Sequence, residues 1–315
     1  MAVTVEQPLP MSNPLQEGTT EHKAYKAPRL GSLRSPAHMA AWLVLVLMSI
    51  LFIVPFLWMI STSLKDFSDL ANSNWIPNPV TWDNYAKAFS FGNWPRWALN
   101  TVIITVVAVA GTVLSTSLVG YSFARLRWPG RDVVFGLVLA TMMLPGVVTM
   151  IPQFILFSRL PAFGFQGSPT WVNTFLPLTV PAFTGNAFFI FLMRQFMRGI
   201  PMELSEAAKI DGASELRIWW SIIMPLCKPV LAAVAIFTFQ GAWEDFMGPL
   251  LYLQSEHLYT LQLGLRTFDA VAGGAPAYNW LMAASFVVML PVLVVFVLFQ
   301  RYFIEGVTLA GMGGR

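Results

Sequence analysis

An apolar run near position 240 carries two adjacent carboxylates, Glu244 and Asp245, directly after Trp243. In such surroundings a carboxylate accepts hydrogen bonds from hydroxyl groups, and an indole offers a flat face for stacking. That is chemistry for holding a polyhydroxylated solute, without bond making. The same pair would also suit an interface or a gate of hydrogen bonds between helices, and the residue types admit both readings. Asn186 and Gln153, in proline-interrupted apolar runs, carry the same ambiguity. A second constellation is polar: Pro201, Glu203, Glu206-Ala207-Ala208, Asp211-Gly212 and Pro225 within 194–228. No Gly-x-x-x-x-Gly-Lys-Ser/Thr phosphate loop occurs, so the chain is not expected to hydrolyse ATP. His22, His38 and His257 are isolated, and Cys227 is the single cysteine, read as a small apolar filler. Neither metal binding nor redox work is expected.

The element that must position these residues is a membrane helix. Of 315 residues 56% are hydrophobic and 11% charged, with mean hydropathy +0.62. A soluble domain carries roughly 25% charged residues. This chain is therefore expected to be an all-α integral membrane protein. A crossing needs about 20 apolar residues. Six stretches qualify: roughly 40–60, 99–124, 133–157, 173–193, 229–253 and 280–300. Pro145 and Pro152 interrupt the third, Pro177 and Pro181 the fourth. Neighbouring helices can satisfy the backbone groups that such prolines free. Carboxylates at the bilayer centre cost about 2.5–3.5 kcal/mol each, so Glu244 and Asp245 invite a functional reading. The six stretches contain no Arg or Lys, which favours a neutral cargo over a phosphorylated one.

Lys and Arg positions orient the bundle. With the N-terminus inside, fourteen fall on the cytoplasmic side, within 23–34, 125–131 and 194–228 and at Arg301 and Arg315. Five fall outside: Lys65, Lys87, Arg96, Arg159 and Arg266. Both termini are thus expected in the cytoplasm. The net charge of +3 bears on this orientation and implies no nucleic acid partner. Residues 1–36 read as a disordered cytoplasmic tail, 37–305 as the six-helix domain and 306–315 as a C-terminal cytoplasmic tail. The first span reads as an uncleaved anchor, because its apolar run exceeds a signal h-region. Trp75, Trp82, Tyr85, Trp94 and Trp97 in the outer loop read as an interfacial aromatic belt. Gly111, Ser115 and Gly120 read as a small-residue face for close helix packing. No internal repeat is visible, against a transporter built from fused halves.

The segment 203–225 reads as two short helices at an angle. Acids at Glu203 and Glu206 suit a helix start, Gly212 a left-handed stop, Ser214 a second cap, and Pro225 the close. From these residues alone the pair either docks a partner or rests on lipid headgroups. Glu206-Ala207-Ala208, three residues, Gly212, nine residues, then Ile222-Ile223-Met224-Pro225 resembles the EAA loop of ABC-importer permeases. The family pattern has Leu where this chain has Met224, an apolar swap of similar size.

The resemblance runs from about residue 40 to the end and is closest to maltose-type carbohydrate permeases. Tyr121-Ser122-Phe123-Ala124-Arg125-Leu126, Met143-Leu144-Pro145, Gln240-Gly241-Ala242-Trp243-Glu244-Asp245-Phe246 and Gln300-Arg301-Tyr302-Phe303 carry it further. It implies a permease subunit of the prokaryotic cell membrane whose coupling helix docks into a cytoplasmic ATPase dimer. Glu206 would be the charged contact, Ala207 and Ala208 the close-packed face, and Gly212 the bend, with Asp211 beside it. The resemblance also implies a second homologous permease, an extracytoplasmic solute-binding protein and a carbohydrate cargo. No cofactor is expected beyond ATP on the partner. The alternatives are the same importer class serving glycerol phosphate or another non-sugar solute, and a stand-alone secondary transporter.

Overall fold

The computed structural model describes residues 36–72, 74–270 and 277–311, with side-chain surroundings up to Gln300 except at Ala37, Asp269 and Ala270. The expected N-terminal tail lies outside these residues except for Pro36, as do the last four residues of the expected C-terminal tail. Among the described residues every regular element is helical. In order these are α1 (Pro36–Ser63), α2 (Asp83–Ser90), α3 (Trp94–Arg125), α4 (Arg131–Thr141), α5 (Gly146–Arg159), α6 (Leu176–Thr179) and α7 (Ala187–Arg198). Then come α8 (Glu203–Ile210), α9 (Glu215–Ile218), α10 (Met224–Leu226), α11 (Lys228–Trp243), α12 (Met247–Tyr252), α13 (Leu261–Arg266) and α14 (Tyr278–Gly311). Two compact units are distinguished, Met1–Phe56 and Leu57–Arg315.

Four segments are long and apolar enough to cross a bilayer: His38–Ser63, Trp94–Arg125, Leu176–Arg198 and Tyr278–Gln300. Two bent pairs bring the number to six if each counts as one crossing. The expected third span is one of them, bent by 98° between α4 and α5. Pro145, extended at ψ 132°, separates the two helices. Pro152 lies inside α5 without ending it. The expected fifth span also stops early. α11 ends at Trp243, and Asp245 turns its carboxylate onto the Gly248 N–H at 3.0 Å. An acid that bonds nearby backbone competes with helix continuation, so the run breaks where the two carboxylates stand.

Packing centres on α3, which lies against α7, α11 and the 3-10 stretch Val180–Thr184. The small residues of α3 make this possible. A Cβ on Gly120 would stand 2.7 Å from the Met193 Cβ, and Ser115 donates to the Ala182 carbonyl at 3.0 Å. The atom opposing Gly120 is fixed to the α7 backbone and has no soft way to retreat. Gly120→Val is expected to cost about 1–3 kcal/mol through overpacking, read as a lower unfolding midpoint of the purified protein. An unchanged midpoint would mean that α7 moves aside freely.

The aromatic belt expectation needs correction. Trp75 and Trp82 are exposed, but Trp94 and Trp97 are buried with Phe268 and Trp243 in one core cluster. Their indole N–H groups find carbonyls inside the fold: Trp94 bonds Ala88 and Phe91, and Trp97 bonds Glu256 at 3.1 Å. Indoles with internal partners need no water. Lys65 is also buried. Its ammonium donates to the Asn72 carbonyl at 3.1 Å and lies 4.6 Å from the Trp58 ring centroid. Asn84 donates to the Ser63 and Lys65 carbonyls, and Asn279 donates to Lys65 as well. These bonds pin the loop after α1 to the start of α14.

Candidate functional site

The polar segment after α7 folds as a braced pair of short helices. Its entrance is held by Arg125 at the end of α3. The Arg125 guanidinium donates to the Ile200 carbonyl at 2.7 Å and the Pro201 carbonyl at 3.2 Å, and contacts Met202 Sδ at 3.2 Å. Arg125 is itself buried, and no carboxylate pairs with it among the described residues. Carbonyl dipoles therefore carry its charge, in the planar fork that only a guanidinium supplies.

α8 starts two residues after Pro201, with Glu203 and Glu206 in its first turn. It stops at Gly212, whose φ is +78°. The Gly212 N–H reaches the Lys209 carbonyl at 3.0 Å, and the Ala213 N–H reaches Ala208 at 2.9 Å. This is the paired 5→2 and 6→1 closure of a helix ending in a left-handed residue. Ser214 then caps α9 by accepting from the Arg217 N–H, as its residue type suggested. A chain of polar contacts crosses the bend: Lys209 Nζ to Glu215 Oε1 at 2.6 Å, and Tyr121 Oη donating to Glu215 Oε2 at 2.6 Å.

Burial acts to raise the Glu215 pKa, but the hydrogen bonds from Lys209 and Tyr121 outweigh it and hold it below the ordinary value. A depressed carboxylate stabilises the fold at neutral pH, and the stabilisation is lost as pH falls through its folded pKa. Loop amides are expected to lose protection on acidification, measured as exchange relative to the intrinsic rate at each pH, and Glu215→Gln to flatten that dependence. An identical acid response in the Gln variant would place the titrating group elsewhere.

The two alanines face opposite ways. Ala208 and Ser205 are buried against the body, while Glu206, Ala207, Asp211 and Gly212 are exposed. Ile210 and Leu216 are also exposed, at 87% and 66%. The outward surface is therefore a small apolar patch beside an acid. Pro225 does not close the second helix. It sits in the first turn of α10, where no N–H is needed, and the helix runs to Leu226 through a wide π turn at Trp219–Ile223. The chain turns by 83° between Leu226 and Lys228, around the buried Cys227.

The residues assigned to a passage are scattered. Trp243 is buried, stacks on Phe239 and donates its indole N–H to Val288 at 3.1 Å. Glu244 is exposed and Asp245 half-buried at the break after α11. Asn186 caps α7, accepting from Phe188 and Phe189, and Gln153 is exposed on α5. Among the described residues no hydrogen bond joins these two to the Trp243–Asp245 group. No cluster of metal-ligating side chains occurs there either. Sequence reasoning left Tyr121 and Arg125 without a role. The available signal was their spacing of four on one face at the end of α3, directly before the loop they brace.

A family model for the binding-protein-dependent transport system inner membrane component matches residues 116–308, more than half of the chain and all of the braced loop. The chain belongs to this family. Among relatives of this inner membrane component, the arabinooligosaccharides transport system permease protein AraQ of Halalkalibacterium halodurans is 33% identical over 289 residues, 89% of this chain and 99% of AraQ. The diacetylchitobiose uptake system permease protein NgcG of Streptomyces coelicolor is 32% identical, over 82% of this chain and 83% of NgcG. The fold is shared with a bacterial ABC transporter involved in the import of the acidic polysaccharide alginate. There the TM-score is 0.74 at 22% identity, over 85% of this chain and 96% of that one.

Proposed function

We propose that this inner membrane component is the permease subunit of an ATP-driven importer that passes a carbohydrate into the cytoplasm. The bent pair α4–α5 then counts as one crossing and the run through α11 as another, giving six, with both termini and the 203–226 loop cytoplasmic. The observation that carries the reading is the braced loop: an ordered, outward-facing knob with Glu206, Ala207, Ile210 and Leu216 exposed. Such a knob suits a groove on a separate ATPase, and it moves with α3 through Arg125 and Tyr121. ATP stays on that partner dimer, and this chain needs no cofactor. A second homologous permease and a solute-binding protein complete the assembly. The carbohydrate class follows from relatives named for oligosaccharide uptake. Within the passage, Glu244 and Asp245 would accept hydrogen bonds from hydroxyls, with the buried Trp243 backing them, while Asn186 on α7 and Gln153 on α5 would serve at separate points of the route.

Gentle purification from the native membrane tests this reading. An ATPase and a second permease are expected to co-purify, and ATP-dependent uptake of an oligosaccharide is expected after reconstitution with the binding protein. A lone chain or a homo-oligomer, under conditions that keep other complexes whole, would overturn it in favour of a stand-alone transporter.

A further inference from the structure

The turn between α3 and α4 meets the end of α7 in a corner crowded with arginines. Arg131 donates to both Asp132 oxygens at 3.2 and 3.4 Å and to the Leu126 carbonyl at 3.2 Å. Arg194 reaches Asp132 at 3.5 Å, donates to the Phe123 carbonyl at 3.3 Å and lies 4.0 Å from the Phe135 ring centroid. Both are thereby fixed in place. Arg198 stands close enough to act electrostatically on Asp132 and Arg194. Beside this corner an open pocket of about 380 Å³ is lined by Arg127, Trp128, Gly130, Arg131, Asp132 and Val133, and Arg194 touches it only through its contact with Asp132. Neither Arg127 nor Arg198 forms an ion pair among the described residues. Four guanidiniums against one carboxylate leave three positive charges uncompensated.

Two further features give the corner a direction. α4 opens on the pocket behind Gly130, at φ 81°, and no side chain caps its first turn. Uncapped N–H groups and the helix dipole both favour an anion there. Immediately beyond, Val133, Val134 and Leu137 on α4 are exposed at 70%, 40% and 63%. An anion site lined by Arg127 and Arg131 and continuous through Val133 with an apolar helix face matches an amphiphile.

We infer that this corner binds the phosphate headgroup of an anionic phospholipid, with its acyl chains along Val133, Val134 and Leu137. Basic pockets between membrane helices recognise such headgroups. The assignment to the cytoplasmic leaflet rests on the proposed function, because Arg125 ties this end of α3 to the loop proposed to dock the ATPase.

The test uses the purified assembly in mixed micelles containing phosphatidylglycerol or phosphatidylcholine, with retained lipid counted by native mass spectrometry. Phosphatidylglycerol is expected to be retained over phosphatidylcholine. The Arg127→Gln/Arg198→Gln variant, which leaves the structurally tethered arginines in place, is expected to retain about thirtyfold less of it. Equal retention by the variant, or no discrimination between the lipids, would overturn the inference. Displacement by excess inorganic phosphate alone would reassign the pocket to a small anion and overturn it too. If the variant keeps its lipid but loses a co-purifying ATPase, the corner is a protein contact and the inference fails. Phosphatidylglycerol held selectively by a chain that purifies without an ATPase would leave this inference standing and defeat the importer reading.

Discussion

Gly212→Pro is expected to abolish ATP-driven uptake while leaving membrane insertion intact. Gly212 has φ +78°, a value that the proline ring, fixed near −65°, cannot reach. Proline would also remove the N–H that closes α8 on the Lys209 carbonyl. The bend would open, and α8 would lose its angle to α9 together with the Lys209–Glu215–Tyr121 link across the turn. The apolar crossings lie elsewhere, so insertion has no reason to fail. Uptake and the amount of protein in the membrane are measured side by side. Gly212→Ala separates conformation from space: its Cβ would meet nothing within 4 Å, so only the left-handed backbone penalises it. That penalty is about 1–2 kcal/mol, an uptake loss of about tenfold. Asparagine tolerates the left-handed region, and Gly212→Asn is expected to retain most activity. Normal uptake by the proline variant would remove the loop from the coupling route.

Arg125→Met is expected to uncouple the loop from the bundle. The methionine fills most of the apolar part of the site but leaves the Ile200 and Pro201 carbonyls without their donors. Loss of such a charge-assisted set costs about 1.5–3 kcal/mol. The loop entrance is then free to move relative to α3. Limited proteolysis within 199–214 should speed up, and uptake should fall by about tenfold or more while the partner still hydrolyses ATP. Arg125→Lys is expected to rescue only part of this, since an ammonium keeps the charge without the fork that spans two carbonyls. Unchanged protease sensitivity in Arg125→Met would show that the loop is held by its apolar contacts, Ile218 and Ile223 among them.

Local features of the loop were legible in the chain because they are set by neighbouring residues. Gly212 stops a helix and Ser214 starts one through bonds that span three to five positions, so spacing suffices to place both. The apolar runs were equally legible, since lipid imposes a length and an apolarity on any crossing helix. The small face of α3 at Gly111, Ser115 and Gly120 followed from residue size, and the neighbours Phe183, Ala182 and Met193 fill it. The α11 break was harder to read, because hydropathy averages over a window and passes across Glu244 and Asp245.

The sequence by itself determined the class of the protein, its apolar runs and the local pattern of the 203–225 loop, each a property of composition or of short-range hydrogen bonding. The tertiary structure alone decided which partner each polar group takes. Trp97 is buried because a carbonyl 159 positions away accepts its N–H, and Tyr121 gained a role because Glu215 lies 94 positions on. It also decided that Ala207 faces outward while Ala208 packs on the body. Contacts at that separation are fixed by how whole helices pack, and no local pattern along the chain encodes them.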